Sequence, residues 1–147
     1  MQWNLRLFGW FKIPMIAFCR PKIEVWNEET VVLRIRRSRR TNNHLKSMYF
    51  GALMVGADLA AGLHAFAFSV ASKKKISLAF KSSNAQFLKR PETDVFFHAD
   101  SGAKVREMIA QSEARGERVN AMIPVILKDV NGEVVATVEM ELSLKVK

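Results

Sequence analysis

With 147 residues, 49% of them apolar and 25% charged, the chain has the make-up of one folded domain with a real core and not of a disordered protein. Its one cysteine, Cys19, excludes an intramolecular disulfide, argues against a cysteine-built metal site, and fits a reducing cytoplasm. The net charge of +9 is lopsided: residues 1–91 hold 16 Lys/Arg against 4 Asp/Glu, a net of +12, and residues 92–147 hold 7 against 10, a net of −3. Such a bias suits a polyanionic partner, or simply a basic protein kept soluble by its charge.

The first segment, 1–20, reads as helical, with a short amphipathic helix over 3–12 on which Trp3, Leu7, Trp10 and Phe11 share a face. Arg6, Lys12 and Pro14 break the apolar run that a signal peptide needs, and no cleavage site follows. The helix is expected to pack on the domain, with a membrane-surface contact as the alternative. "KIEVW" (22–26) and "VVLRIRR" (31–37) read as two strands around a turn at 27–30; Leu33 and Ile35 alternate with Arg34 and Arg36. A polar connection, 37–44, follows.

Residues 51–71, "GALMVGADLAAGLHAFAFSVA", are apolar all round, the mark of a membrane span or of the buried axis of a small domain. A central carboxylate, Asp58, costs roughly 2.5–3.5 kcal/mol in a membrane. Amphipathic strands flank the segment on both sides, so a buried central helix at 51–70 is expected, with no transmembrane segment. After "SKKK", strands are expected at 76–88 and 93–100, with a turn at 90–92. Residues 101–116 read as a helix with Ser101 as cap, Val105, Met108, Ile109 and Ser112 inside, and Gly116 as stop. Two long strands close the chain through an Asn131–Gly132 turn, with Pro124 marking an edge or a bulge. The order predicts one α+β domain over 1–147, a curved antiparallel sheet wrapped around one long helix.

Gly51, Val55, Asp58, Gly62 and Ala65 fall on one small-sided stripe of that helix. The helix start offers free backbone N–H groups that stabilise a polarised carbonyl or an anion. Asp58 lies roughly 10 Å along the axis from that terminus. A partner subunit could bring acid and terminus together.

"NHLKSMYFGALMVGAD" (43–58) resembles the signature of hotdog-fold thioesterases, in the branch of small bacterial phenylacetate-pathway-like and DUF4442-type proteins. Asn43 matches the signature's Asn, Gly51 its last Gly and Asp58 its acid, and the element order matches the hotdog fold over nearly the whole chain. "FLKRP" (87–91) resembles the segment that ends the strand after the helix. Lys46 stands where the family has Gly, and Tyr49 where it has His. The resemblance implies that Asp58 acts as nucleophile or general base. It implies that Asn43 orients water or substrate, and that amides at the helix start, around Tyr49, Phe50 and Gly51, polarise the carbonyl. A tyrosine is no base at neutral pH, so Asp58 is the one base left in the motif.

The expected substrate is an acyl-coenzyme A or similar thioester, with no bound cofactor and no metal. Lys46, Lys73, Lys74, Lys75, Arg90, Lys104 and Arg106 are candidates for its phosphates, and Met54, Phe80 and Phe87 for the acyl slot between subunits of a homodimer or dimer of dimers. A non-catalytic acyl-thioester or lipid-binding protein is the alternative. A hotdog dehydratase would need His44, and nucleic-acid binding lacks a recognition motif. His64 is expected in the core or an interface. His98 stands alone on a strand, and no histidine pair has metal-ligand spacing.

Overall fold

The computed structural model describes residues 12–147. The helix expected over 3–12 lies outside them but for Lys12. In order come α1 (Pro14–Cys19), β1 (Lys22–Trp26), β2 (Val31–Ile35), α2 (Phe50–Ser72), β3 (Ile76–Phe87), β4 (Val95–Ala99), α3 (Gly102–Arg115), β5 (Val119–Lys128) and β6 (Val134–Val146). The strands form one antiparallel sheet in the order β1-β2-β4-β5-β6-β3.

The sheet curves around α2, which touches β2 through β6 as well as α1 and α3. This wrapping is why α2 is apolar all round. Period-2 alternation sends Val31, Leu33 and Ile35, then Val95, Phe97 and Ala99, then Ile123, Val125 and Leu127 inward, all fully buried. At Gly56 the helix lies tight against the sheet: a Cβ there would run into the buried Phe97 ring. Among the described residues one helix, α2, is long and apolar enough to cross a membrane, yet its middle is the core of this sheet.

Some boundaries differ from the sequence reading, for polar reasons. β2 ends at Ile35 and not 37, because the Thr41 hydroxyl takes the Arg36 carbonyl (2.8 Å) and the Arg37 N–H turns to the Asp94 carboxylate (2.9 Å). That same carboxylate holds the start of β4 back to Val95. Ser101 precedes α3, but its hydroxyl does not cap the helix. Glu29 does, through its carbonyl to the Gly102 N–H and its carboxylate to the Ala103 N–H, each 3.1 Å. Gly116 (φ +67°) ends α3 as expected. Gly132 (φ +80°) turns the last hairpin while the Asp129 carboxylate takes the N–H of Asn131 and of Glu133. Pro124 sits in an interior strand, but β4 pairs no further than Ile126, so β5 has only β6 beside it there.

The long strand β3 is an edge. Among the described residues no strand pairs with its outer side, although its inward-facing Phe87 is 52% exposed.

Candidate active site

The loop before α2 is held by a dense set of bonds. The Asn43 side-chain oxygen accepts from the N–H of Leu45 (2.9 Å), the N–H of Ser47 (3.2 Å) and the Ser47 hydroxyl (3.1 Å). Asn43 is therefore the organiser of an Asx turn. Its NH2 makes no hydrogen bond among the described residues. Lys46, in the place of a glycine, has φ +59°, the left-handed conformation for which glycine is the natural residue. Met48 donates its N–H to the Pro91 carbonyl (2.8 Å) and Tyr49 to the Thr41 carbonyl (2.7 Å). "FLKRP" thus anchors the helix start.

These bonds leave the N–H groups of Phe50 and Gly51, the first two of α2, with no backbone acceptor. Tyr49 sits at the N-cap without a side-chain cap; its ring lies over Gly51, where a Cβ would meet it at 2.4 Å. Tyr49, Phe50 and Phe87 form an exposed aromatic chain, with ring centroids 4.9 and 6.2 Å apart. Together with Asn43, Leu53 and Arg90 they line a pocket of about 430 Å³.

Asp58 is elsewhere. It lines a cleft of about 550 Å³ between α1, α2 and the first half of β3, walled by Ile16, Leu59, Gly62, Phe66, Leu78 and Phe80. The half-buried carboxylate has no hydrogen-bond or ion-pair partner among the described residues. Desolvation by its apolar walls holds its pKa above the ordinary carboxylate range. The N-terminal helix α1 supplies Ile13 and Ile16 to the cleft, a wall that nothing in the sequence pattern announces.

The two halves of the motif share no lining residue within one chain. Phe80 lies with Asp58, Phe87 with the helix start, and Met54 lines neither. Among these basic candidates only Arg90 lines either half; Lys89, not among them, also borders the helix-start pocket and is paired with Glu133. Lys46 is exposed on the loop. Lys73 caps the far end of α2, about 34 Å from its start. Lys74 is paired with Glu113. Lys75 receives the Lys147 N–H on its carbonyl (2.9 Å). Lys104 lies near Glu107 (3.8 Å) and Arg106 is paired with Glu29; both sit on α3.

His64 is fully engaged. Its Nε2 donates to the Asn27 carbonyl (3.1 Å), so in the neutral ring Nδ1 accepts the Ser101 hydroxyl (3.1 Å), and the ring stacks on Trp26 at 5.0 Å. His44 borders the helix-start pocket. Burial, with Lys128 nearby, lowers the pKa of His98. Among the described residues no three His, Cys, Asp or Glu side chains group as a metal site.

A curved antiparallel sheet wrapped on one long helix is the hotdog fold. The chain belongs to the family described as "Domain of unknown function (DUF4442)", whose model matches residues 2–144. No functionally curated protein matches it. Among solved structures it is similar to a Pseudomonas aeruginosa protein of unknown function described as a probable thioesterase (23% identity, 100% of this chain and 97% of that one, TM-score 0.78). It is also similar to a Chlorobaculum tepidum protein of unknown function (10% identity, 98% and 93%, TM-score 0.84) and a Haemophilus influenzae thioesterase (13%, 98% and 90%, TM-score 0.71).

Proposed function

We propose that the protein is a cytoplasmic acyl-thioester hydrolase acting on acyl-coenzyme A or a similar thioester, with each active site shared between two subunits. One observation carries this reading. The Asp58 cleft is walled by the first half of β3, from Ile76 to Phe80, and the helix-start pocket by the end of β3 and the residues after it, Phe87 to Pro91. Antiparallel pairing of two free β3 edges about their middle sets Phe87 of one chain beside the partner's Ile76. The helix start of one subunit then faces the partner's Asp58. The partner's Lys73 and Lys75, just before its β3, come to the side of Arg90, where coenzyme A phosphates would be held.

In this arrangement Asp58 takes a proton from a water, whose oxygen attacks the thioester carbonyl carbon. The carbonyl oxygen takes up negative charge toward the N–H groups of Phe50 and Gly51. As the tetrahedral centre collapses, the C–S bond breaks and the thiolate leaves, recovering a proton. A desolvated carboxylate is a stronger base for the first step. Exposed Phe50 and Phe87, with Phe80 across the interface, supply an apolar surface for the acyl chain.

The test combines two variants. Asp58→Asn removes the base. Phe50→Pro removes one amide donor at the first helical position, where proline is tolerated and Tyr49 already has the extended ψ of 137° that a following proline needs. Phe50→Ala controls for loss of the ring. Each variant alone should lose thiol release from acyl-coenzyme A. A mixture of Asp58→Asn and Phe50→Pro, after subunit exchange, should regain about a quarter of wild-type activity, because half the dimers then hold one intact site. No recovery in mixed dimers defeats the shared site. Binding of acyl-coenzyme A by the wild type with no thiol release favours the non-catalytic binding protein, which Tyr49 in place of a histidine base would suit.

A further inference from the structure

The end of the molecule that carries α1 combines exposed apolar side chains with unpaired guanidinium groups. Ile16 and Cys19 turn inward on α1, whereas Met15 and Phe18, three residues apart on its other face, are 60% and 51% exposed. The Arg40 guanidinium lies over the Phe18 ring, 5.7 Å from its centroid. Arg20 and Arg40 flank a shallow notch of about 230 Å³ floored by Pro14, Ala17 and Phe18. Lys22, two residues after Arg20, pairs across from Arg34 in the β1–β2 ladder. Lys12, Arg20, Lys22, Arg36, Arg39 and Arg40 are all exposed, and none forms an ion pair with a carboxylate among the described residues. The sequence just before this surface, "MQWNLRLFGWF", holds seven large apolar residues and one charged side chain, Arg6.

From this juxtaposition we infer that the α1 face, with Met15 and Phe18 set among Arg20, Arg39 and Arg40, docks the protein on the surface of an anionic phospholipid bilayer. Phosphate headgroups answer the guanidinium groups, and the apolar side chains enter the headgroup–acyl boundary beside them. Long arginine stems span the two environments. The bilayer explains the pattern better than nucleic acid does, because a phosphate backbone alone has no use for exposed Met15 and Phe18 between the cations. Ile13, 40% exposed at the start of α1, is also a wall of the Asp58 cleft. A docked molecule would therefore present that cleft near the lipid.

The experiment uses the full chain, sedimented with phosphatidylcholine vesicles with and without phosphatidylglycerol. Binding is expected only to the anionic vesicles, with release at high salt. Met15→Ser with Phe18→Ser should weaken partitioning by about ten-fold or more, since it removes the inserted apolar area. Arg20→Gln with Arg40→Gln should weaken it about 25-fold, at roughly five-fold per basic residue near a charged surface. All four positions are exposed, so both double variants should keep the wild-type melting curve. Equal binding to neutral and anionic vesicles, no binding to either, or wild-type binding by both variants would overturn the inference. So would light scattering that shows the variants falling to monomers while the wild type stays dimeric, which would make the face a subunit interface. Binding to a DNA duplex that survives Met15→Ser/Phe18→Ser and is lost in Arg20→Gln/Arg40→Gln, without vesicle binding, would also overturn it in favour of nucleic acid.

Discussion

Asp58 and His64 stand six residues apart on one apolar helix, and their surroundings are opposite. His64 is 7% exposed, and both ring nitrogens are hydrogen-bonded, to Asn27 and Ser101. It ties α2 to the β1–β2 turn and to the residue before α3, and Glu29 and Arg106 fasten the same turn from outside. Asp58 is more open than His64, faces a cleft large enough for a ligand, and is bonded to nothing described. A buried polar group with every bond made holds a structure together. One kept partly dry with none made is costly, and it persists where chemistry uses it.

The widest separation between the two should come from Asp58→Asn. Turnover is expected to fall by about two orders of magnitude or more, the scale for losing a general base. The melting temperature should hold or rise. A carboxyl whose folded pKa is raised binds protons more readily when folded. Its stabilising contribution is then full below the ordinary carboxylate range and is lost as pH rises through the folded value, so at neutral pH the charge is a burden that Asn relieves. Wild-type turnover should rise with pH through an apparent pKa above that ordinary range, and this limb should vanish in Asp58→Asn. A marked loss of melting temperature in that variant would make Asp58 a structural acid after all.

His64→Ala should show the reverse pairing. Losing two buried hydrogen bonds and a ring stack is expected to cost about 2–4 kcal/mol of stability. Thermal melts would reveal it, while turnover per folded molecule, measured well below the melting point, stays near wild type. Loss of turnover without loss of stability would break the comparison and move His64 into the site. Gly56→Ala probes the sheet side of the same helix. The added methyl must displace the Phe97 ring, at a cost of about 1–3 kcal/mol. A neutral outcome by chemical denaturation would mean that the helix can shift away from β4. The smallest effect belongs to the loop before the helix: Lys46→Gly should stabilise the protein by up to about 1 kcal/mol, by relieving a left-handed lysine. A destabilised variant would show that Lys46 earns its conformation through contacts of its side chain.

Much of the fold was legible because its signals are local. Alternation in 119–127 and 136–142 reports one wet and one dry face; it breaks at the start of β6, where a register shift exposes Val134 and buries Val135, and at the buried Ser143, while Gly116 and Gly132 sit where a positive φ is needed. The central helix was legible from its length, its apolarity and the strands around it. The site was legible only in pieces. Gly51 and Asp58 stand out by spacing and Asn43, Tyr49 and Phe50 only through the family resemblance, whereas Ser101 looks like a cap and its hydroxyl bonds His64 instead. A hydroxyl before a helix looks the same in sequence whether it bonds the helix or a histidine 37 residues away. Thr41, which aims the helix start through its carbonyl, has no signal, since any residue has a carbonyl, and Pro91, which does the same, is marked only as the end of "FLKRP".

Sequence alone therefore determined which segments become strand and helix, which faces are apolar, and that an acid lies inside the long helix, because periodicity and backbone preference act over a few residues. Tertiary structure alone decided that Asp58 looks into a cleft and not into the core. It also decided that His64 is satisfied, and that acid and helix start occupy separate pockets at the two ends of one free strand. Those outcomes depend on which distant segments, α1, β3 and the β1–β2 turn, come to lie against the helix, and no local pattern encodes a partner many residues away.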